Sequence, residues 1–167
     1  PLQLSASELI DGGRRIVTLI LRDLSDRHAF EQRIEFLAEH DALTGLPNRS
    51  RFVRGLNLSI GRDAGARRGA VYCVEIDRFK AVNDTFGNAA GDELLCHAAR
   101  RLSGIARGRD CVARLGGDSF AVWSSRVTDA AGAFAFGERL RIAICQPFRL
   151  GADEVFVTAS IGVVLAD

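Results

Sequence analysis

Two apolar runs open the chain. Leu2-Gln-Leu-Ser-Ala-Ser-Glu-Leu-Ile10 and Arg15-Ile-Val-Thr-Leu-Ile-Leu21 flank Asp11-Gly12-Gly13. An Asp-Gly step between such runs predicts a β-hairpin, since glycine accepts the positive φ of a tight loop. Two strands cannot bury both of their faces, so residues 1–24 are expected to belong to a larger sheet. From Ser25 the period changes. Phe30, Ile34 and Leu37 fall at helical spacing among Arg27, Glu31, Arg33 and Glu35, and Ser25 or Asp26 stands where a cap is needed. Residues 25–40 therefore read as a linker helix, either a surface helix of the next domain or a signalling coiled coil. Its apolar stripe is too short to choose between them.

From Asp41 the pattern predicts an α/β domain, residues 41–167, with a mixed and mainly antiparallel sheet flanked by helices. Leu46-Pro47-Asn48 stops the linker helix, and Asn48 caps a new one running to about Ile60. Ala70 to Ile76 is too apolar to alternate, which predicts a central strand covered on both faces. Phe79–Phe86 and Ala89–Ile105 read as helices separated by Gly87. Cys111–Leu115 and Phe120–Ser124 flank Gly116-Gly117-Asp118-Ser119 as a hairpin. Thr128–Cys145 is an amphipathic helix with Phe134, Leu140 and Ile144 among its apolar positions. Phe148–Leu150, a Gly-Ala-Asp turn and Val155–Leu165 close the chain as a last hairpin.

Composition narrows the classes. Of the 167 residues 47% are hydrophobic and 26% charged, as in an ordinary globular chain, and the net charge is +1. No bulk charge points to nucleic acid or a membrane surface, so no nucleic-acid partner is expected. Cys73, Cys96, Cys111 and Cys145 show no CxxC spacing and read as small core residues of a reducing compartment. No run reaches the ~18 apolar residues of a membrane span. The chain starts at Pro1 and contains no Met, so it reads as a piece of something longer. A cytoplasmic setting is expected, any membrane anchor lying upstream.

Candidate chemistry sits at the ends of strands. Glu75 and Asp77 close the first strand of the α/β domain, and Asp118 stands at the Gly-Gly tip. A carboxylate on a tight turn whose glycines admit a ligand is one way to seat a hard divalent cation beside phosphate. A solvated turn with an ordinary Asp is the plain alternative. Asn83 and Asp92 would by themselves pass for helix-flanking polar residues.

Four segments carry a resemblance. Asp41-Ala-Leu-Thr-Gly-Leu-Pro-Asn-Arg49; Glu75-Ile-Asp-Arg-Phe-Lys-Ala-Val-Asn-Asp-Thr-Phe-Gly87 with Gly91-Asp92; Ala113-Arg-Leu-Gly-Gly-Asp-Ser-Phe120; and Val157-Thr-Ala-Ser-Ile-Gly162 resemble, in order and spacing, the signatures of the GGDEF family. Residues 1–24, running into Leu21-Arg-Asp-Leu-Ser-Asp-Arg27, resemble the last strands of a PAS sensor domain. The resemblance implies a diguanylate cyclase, which condenses two GTP into cyclic di-GMP as a homodimer, each protomer holding one GTP under control of the upstream sensor. It places the metal, Mg2+ or Mn2+, on Glu75, the Ile76 carbonyl and Asp118. It places guanine on Asn83 and Asp92, phosphate on Lys80, and the catalytic tip on Gly116, Gly117, Asp118 and Ser119. Arg107 and Asp110 match the RxxD site where cyclic di-GMP inhibits many members.

This sequence departs from the pattern in the metal region. Glu75 stands where the family has Asp, and Ser119 replaces the glutamate of the Gly-Gly-Asp-Glu-Phe signature. Asn88 stands where the family commonly has His. A hydroxyl cannot supply a missing carboxylate charge beside a metal–triphosphate complex. The expected last helix, with its basic cluster, lies beyond residue 167. These departures give a second expectation: a noncatalytic domain that binds GTP or cyclic di-GMP and regulates a neighbour such as a phosphodiesterase.

Overall fold

The computed structural model describes residues 2–11, 14–23, 34, 36–62 and 69–166. The chain divides into two compact units, Pro1–Ala38 and Glu39–Asp167.

In the first unit β1 (Leu2–Asp11) pairs antiparallel with β2 (Arg14–Asp23), from Leu2 opposite Asp23 to Asp11 opposite Arg14. The hairpin is the one expected; its Gly12-Gly13 turn lies outside the described residues. Pairing puts Leu4 opposite Leu21 and Ala6 opposite Leu19, an apolar stretch in the middle of one side of the ribbon, bounded by the Leu2–Asp23 and Glu8–Val17 pairs. Most of the linker helix also lies outside the described residues, although residues 36–39 are helical.

The second unit is built on an antiparallel sheet of order β4-β5-β3-β8. Its strands are β3 (Gly69–Ile76), β4 (Cys111–Gly116), β5 (Ser119–Ser124) and β8 (Ala159–Ala166). Four helices join it: α1 (Arg49–Arg62), α2 (Phe79–Phe86), α3 (Asn88–Ile105) and α4 (Ala130–Ile144). The α/β class and the antiparallel character match expectation, and all pairings among the described residues are antiparallel. As expected, Asn48 caps α1, its Oδ1 accepting from the Arg51 N–H at 3.0 Å.

Alternation assigns the two faces of the sheet. Tyr72, Val74 and Ile76 of β3, with Phe120 and Val122 of β5, pack with Leu94, Leu95, Ala98 and Leu102 of α3 and Phe136, Leu140 and Ile144 of α4. The Tyr72 hydroxyl donates to the Ala133 carbonyl at 3.0 Å, and burial pushes the phenol up to about 12. On the other face Phe52 of α1 covers Ala113, Ala121 and Trp123.

Four expectations need correction. Central β3 is not covered on both faces: α1 reaches only the β4–β5 side, leaving Cys73 and Glu75 exposed. The cysteines are not core residues, since Cys73 is exposed and the other three are half-buried; all four are free thiols. Phe134 is 72% exposed, because Ala133, Phe136, Leu140 and Ile144 form the inward stripe of α4. Finally, Val155–Leu165 is not one strand. Asp153–Val155 (β7) pairs with Phe148–Leu150 (β6), and the chain then crosses through 156–158 to pair β8 with β3.

Arg101 of α3 closes the end of α4. Its guanidinium donates to the carbonyls of Ala143 at 3.0 Å, Gln146 at 2.6 Å and Pro147 at 2.5 Å, and lies 3.7 Å from the centre of the Phe148 ring. One carbonyl left over in the last turn of α4, Ala143, and two of the turn that follows it are thus satisfied by a cation from the neighbouring helix.

Candidate functional site

The site gathers where β3 ends and the β4–β5 hairpin turns. Gly116 and Gly117 take φ of 129° and 56°, the left-handed side that glycine supplies at little cost. The turn brings the Asp118 carbonyl to the Ile76 N–H at 3.3 Å. The same register sets Ser119 of β5 opposite Glu75 of β3, while Ser160 of β8 stands opposite Glu75 on its other side. Directly opposed residues share a face, so Glu75 lies in a row between two hydroxyl side chains on the open side of the sheet. A depression of about 440 Å³ there is lined by Cys73, Glu75, Leu115, Ser119, Ser160 and Gly162.

Arg114 anchors the tip. Its Nη1 donates to Asp41 Oδ1 at 3.0 Å, and its Nη2 and Nε donate to the Gly117 carbonyl at 2.7 and 3.1 Å. Asp41 also accepts from the Thr44 N–H at 2.9 Å and hydroxyl at 2.7 Å. Burial works to raise the Asp41 carboxyl, but the Thr44 bonds and Arg114 outweigh it and hold it below the usual carboxylate range. The turn that starts the domain is thereby fastened to the turn that carries Asp118.

Beyond Ile76, Asp77 is held on three atoms. Its N–H donates to the Thr158 carbonyl at 2.9 Å, while its carboxylate accepts from the Thr158 hydroxyl at 2.5 Å and the Ser160 hydroxyl at 2.7 Å. The Thr158 and Ser160 bonds hold its carboxyl low. Sequence reasoning named Asp77 at the strand end but gave it no role, and missed Thr158, Ser160 and Arg114 as site residues. The signal was the i, i+2 spacing: Asp77 follows Glu75 by two just past the end of β3, and Thr158 precedes Ser160 by two just before β8 begins at Ala159.

Helix α2 comes directly after and carries exposed Lys80 and half-buried Asn83. The Asn83 Oδ1 is buried and has no hydrogen-bond partner. Gly91 of α3 makes its space, since a Cβ there would lie 1.8 Å from that oxygen. Asp92, the next residue, is exposed. With Gly91 against it and no accessible surface, that oxygen is closed to a ligand as it stands, and the amide has to turn to meet one.

Arg107 and Asp110 fall on the turn before β4. The Arg107 side chain is exposed. The Asp110 side chain is fully covered and accepts from the Arg107 N–H at 3.0 Å, the Ser124 hydroxyl at 2.9 Å and Arg126 Nη2 at 2.5 Å. Burial works to raise Asp110, and these bonds overcome it and hold it low. Its carboxylate thus has an internal task that its motif does not reveal.

Among the described residues no three His, Cys, Asp or Glu side chains cluster to hold a metal by themselves. Glu75, Asp118 and the Ile76 carbonyl offer oxygen only. Such a set fits a small divalent ion that shares its shell with phosphate and water, rather than a resident ion in a protein cage.

Comparison with known proteins agrees with this geometry. The family described as "Diguanylate cyclase, GGDEF domain" matches residues 38–167. An uncharacterized signaling protein of Caulobacter vibrioides is 40% identical over 166 residues, 95% of this chain and 20% of that protein. The bifunctional diguanylate cyclase/cyclic di-GMP phosphodiesterase MucR of Pseudomonas aeruginosa is 41% identical over 133 residues, 77% of this chain and 19% of its own length. The chain thus spans about a fifth of these relatives. A crystal structure of a sensory box/GGDEF family protein from Caulobacter crescentus CB15 superposes with a TM-score of 0.72 at 39% identity, covering 76% of this chain and 83% of that one.

Proposed function

The chain belongs to the GGDEF family of diguanylate cyclase domains, and from that premise we propose that it is the nucleotide-handling domain of a cyclic di-GMP signalling protein. The observation that carries this reading is the Gly116–Gly117 turn, which sets Asp118 beside the end of β3 that bears Glu75, with Asn83 and Asp92 on the two helices that follow. Guanine presents N–H donors beside a carbonyl, which an amide and a carboxylate complement. Lys80, exposed one turn earlier on α2, offers a point charge to the phosphates.

Diguanylate cyclases of this family generally use divalent metal ions. In this chain Glu75, the Ile76 carbonyl and Asp118 would hold one, with Mg2+ or Mn2+ the best match to oxygen donors. When bound, such an ion neutralises the triphosphate and activates the attacking hydroxyl. Asn83 and Asp92 orient one GTP on each protomer, and a homodimer brings the 3′-hydroxyl of one nucleotide to the α-phosphate of the other. Each attack forms one phosphodiester bond and breaks one α–β phosphoanhydride bond. The first releases one pyrophosphate, and the reciprocal attack closes the ring and releases the second. Exposed Arg107 supplies the cation of an inhibitory site for the product.

The first hairpin supports an upstream sensor. Its apolar stretch around Leu4, Leu19 and Leu21 suits part of a larger sheet, as in a PAS domain over residues 1–24, with residues 25–40 as linker and 41–167 as the output domain. No helix among the described residues is long and apolar enough to cross a membrane.

A second reading is favoured by one observation. The residue facing Glu75 across β3 and β5 is Ser119, a hydroxyl where the family signature has a carboxylate. With that charge missing, the domain would bind nucleotide and regulate a neighbouring module, such as the phosphodiesterase that MucR carries by name. The deciding experiment is chromatography of the products formed from GTP and Mg2+ or Mn2+ by the full-length parent. A cyclic di-GMP peak lost on Asp118→Ala establishes the cyclase. Nucleotide binding without product establishes the regulator.

A further inference from the structure

We propose that Asp77 is a positioning residue for the metal-binding end of β3, and that Thr158 and Ser160 act through it. The inference rests on the nucleotide-and-metal reading of the site and assigns a task to side chains that reading leaves idle.

Residue 77 stands where the ladder stops. Ile76 is the last residue of β3 and pairs with Ala159. Arg78 has φ 57° and ψ 26°, a left-handed conformation disfavoured for a residue with a β-carbon. Arg78 also makes no side-chain cap to α2. A backbone in that region persists when its surroundings over-determine it. Here the fastening lies one residue earlier, on Asp77, whose N–H and both carboxylate oxygens are engaged by Thr158 and Ser160.

What depends on this fastening is the metal-binding end of the site, since the Ile76 carbonyl and Glu75 lie directly behind Asp77. On its other side Ile76 is held by the 3.3 Å bond to the Asp118 carbonyl, a long one. Ser160 also stands opposite Glu75 in the sheet and lines the same depression. The Asp77 bonds thus fix the first two metal-binding positions relative to β8, as the Asp118 bond fixes them relative to β5. Partners behind metal ligands set the orientation of those ligands.

The test measures GTP binding by calorimetry on the whole chain, with Mn2+ and again with a chelator. For the wild type, Mn2+ is expected to tighten GTP binding. In Asp77→Ala that metal-dependent gain should fall by roughly tenfold or more, with the metal-free affinity unchanged because Asn83 and Asp92 are intact. Asp77→Asn, which keeps an acceptor for one hydroxyl, should recover part of the gain. Thr158→Val and Ser160→Ala should each lose part of it, and should add nothing in the Asp77→Ala background. These two variants also serve if Asp77→Ala fails to fold.

An undiminished metal gain in Asp77→Ala overturns the proposal. So does complete loss in both Asp77 variants with Thr158→Val and Ser160→Ala unaffected, which would make Asp77 a metal ligand. Absence of GTP binding by the wild type, with or without Mn2+, overturns the nucleotide reading and this inference with it. A purely structural role would lower metal-free and metal-dependent binding together, and that outcome also overturns the proposal.

Discussion

Arg114 and Asp41, 73 positions apart in sequence, meet at 3.0 and 3.2 Å through one guanidinium nitrogen and both carboxylate oxygens. The pair is mostly covered, with side-chain exposures of 11% and 21%. The same arginine holds the Gly117 carbonyl, so the start of the domain and the tip carrying Asp118 share one clasp. Truncating one member leaves the other charge half-buried without its partner. Arg114→Ala is therefore expected to cost about 3 kcal/mol in chemical denaturation. It should also weaken metal-dependent GTP binding, because the tip loses its anchor.

The clasp has a signature in acid. The Asp41 and Asp110 carboxyls are both held below their ordinary values in the folded chain. A depressed folded-state pKa contributes stability that is complete above the unfolded value, near pH ~4, and is lost as pH falls through the folded value. Melting temperature should therefore stay level from neutrality down to about pH 5 and drop below about pH 4. Asp41→Asn should start lower and show a shallower acid decline. An equally steep decline in Asp41→Asn would mean that Asp41 does not contribute to the acid sensitivity.

Arg101 bears on stability alone. One carbonyl in the last turn of α4 and two of the turn after it depend on its guanidinium, which also covers the Phe148 ring. Arg101→Ala strands those acceptors and is expected to cost about 2 kcal/mol or more in thermal or urea unfolding. Lysine lacks the planar fork, so Arg101→Lys should restore only part of the loss. GTP affinity of the folded fraction should not change in either variant.

These features were foretold by the sequence to different degrees. The hairpins, the Asn48 cap, the order of helices and strands and the Gly-Gly tip were all legible, because each is written in periodicity or in residues with one backbone preference. Motif resemblance singled out Glu75, Asp118, Asn83 and Asp92, and the fold places the first two at the adjoining ends of β3 and the β4–β5 turn. The Arg114–Asp41 clasp and the Asp77 fastening were not, because spacing along a chain does not say which polar side chains meet across a sheet. Nor was the exposure of Cys73 and Phe134: an apolar strand or stripe signals burial only where a partner layer reaches it, and α1 covers just the β4–β5 side. The division of Val155–Leu165 was hidden for a similar reason, since apolar residues continue through the point where the chain changes partners.

The RxxD turn separates binding from folding. Arg107 projects to solvent, while Asp110 is covered and bonded to Ser124, Arg126 and the Arg107 N–H. Arg107→Ala should weaken cyclic di-GMP binding in a calorimetric titration with no change in melting temperature. Asp110→Ala should lower the melting temperature as well, losing about 2 kcal/mol for the partners left without an acceptor. Unchanged affinity in Arg107→Ala would remove the inhibitory site. A stable Asp110→Ala would show that its internal bonds contribute little.

Ser119→Glu tests the departure that divides the two functional readings. Residue 119 lies directly across from Glu75, so a glutamate there places two carboxylates on one face at neighbouring strand positions. Without metal they repel, and the variant should be less stable than the wild type by about 0.2–1 kcal/mol. With Mn2+ and GTP the added charge has a cation to meet, so the sign reverses and the ligand-induced rise in melting temperature should exceed that of the wild type. If the hydroxyl is what silences the domain, the full-length parent carrying Ser119→Glu should form cyclic di-GMP where the wild type forms little. If the wild type is already a working cyclase, the product rate should change little while the metal-free penalty remains. The two arms read different physics. The melting shift reports whether position 119 faces the metal, whichever reading holds; the product rate reports whether its charge limits the reaction. A variant with no penalty in chelator and no added gain with Mn2+ would mean that residue 119 does not share a charged site with Glu75, and the silencing role of the hydroxyl would fall with it.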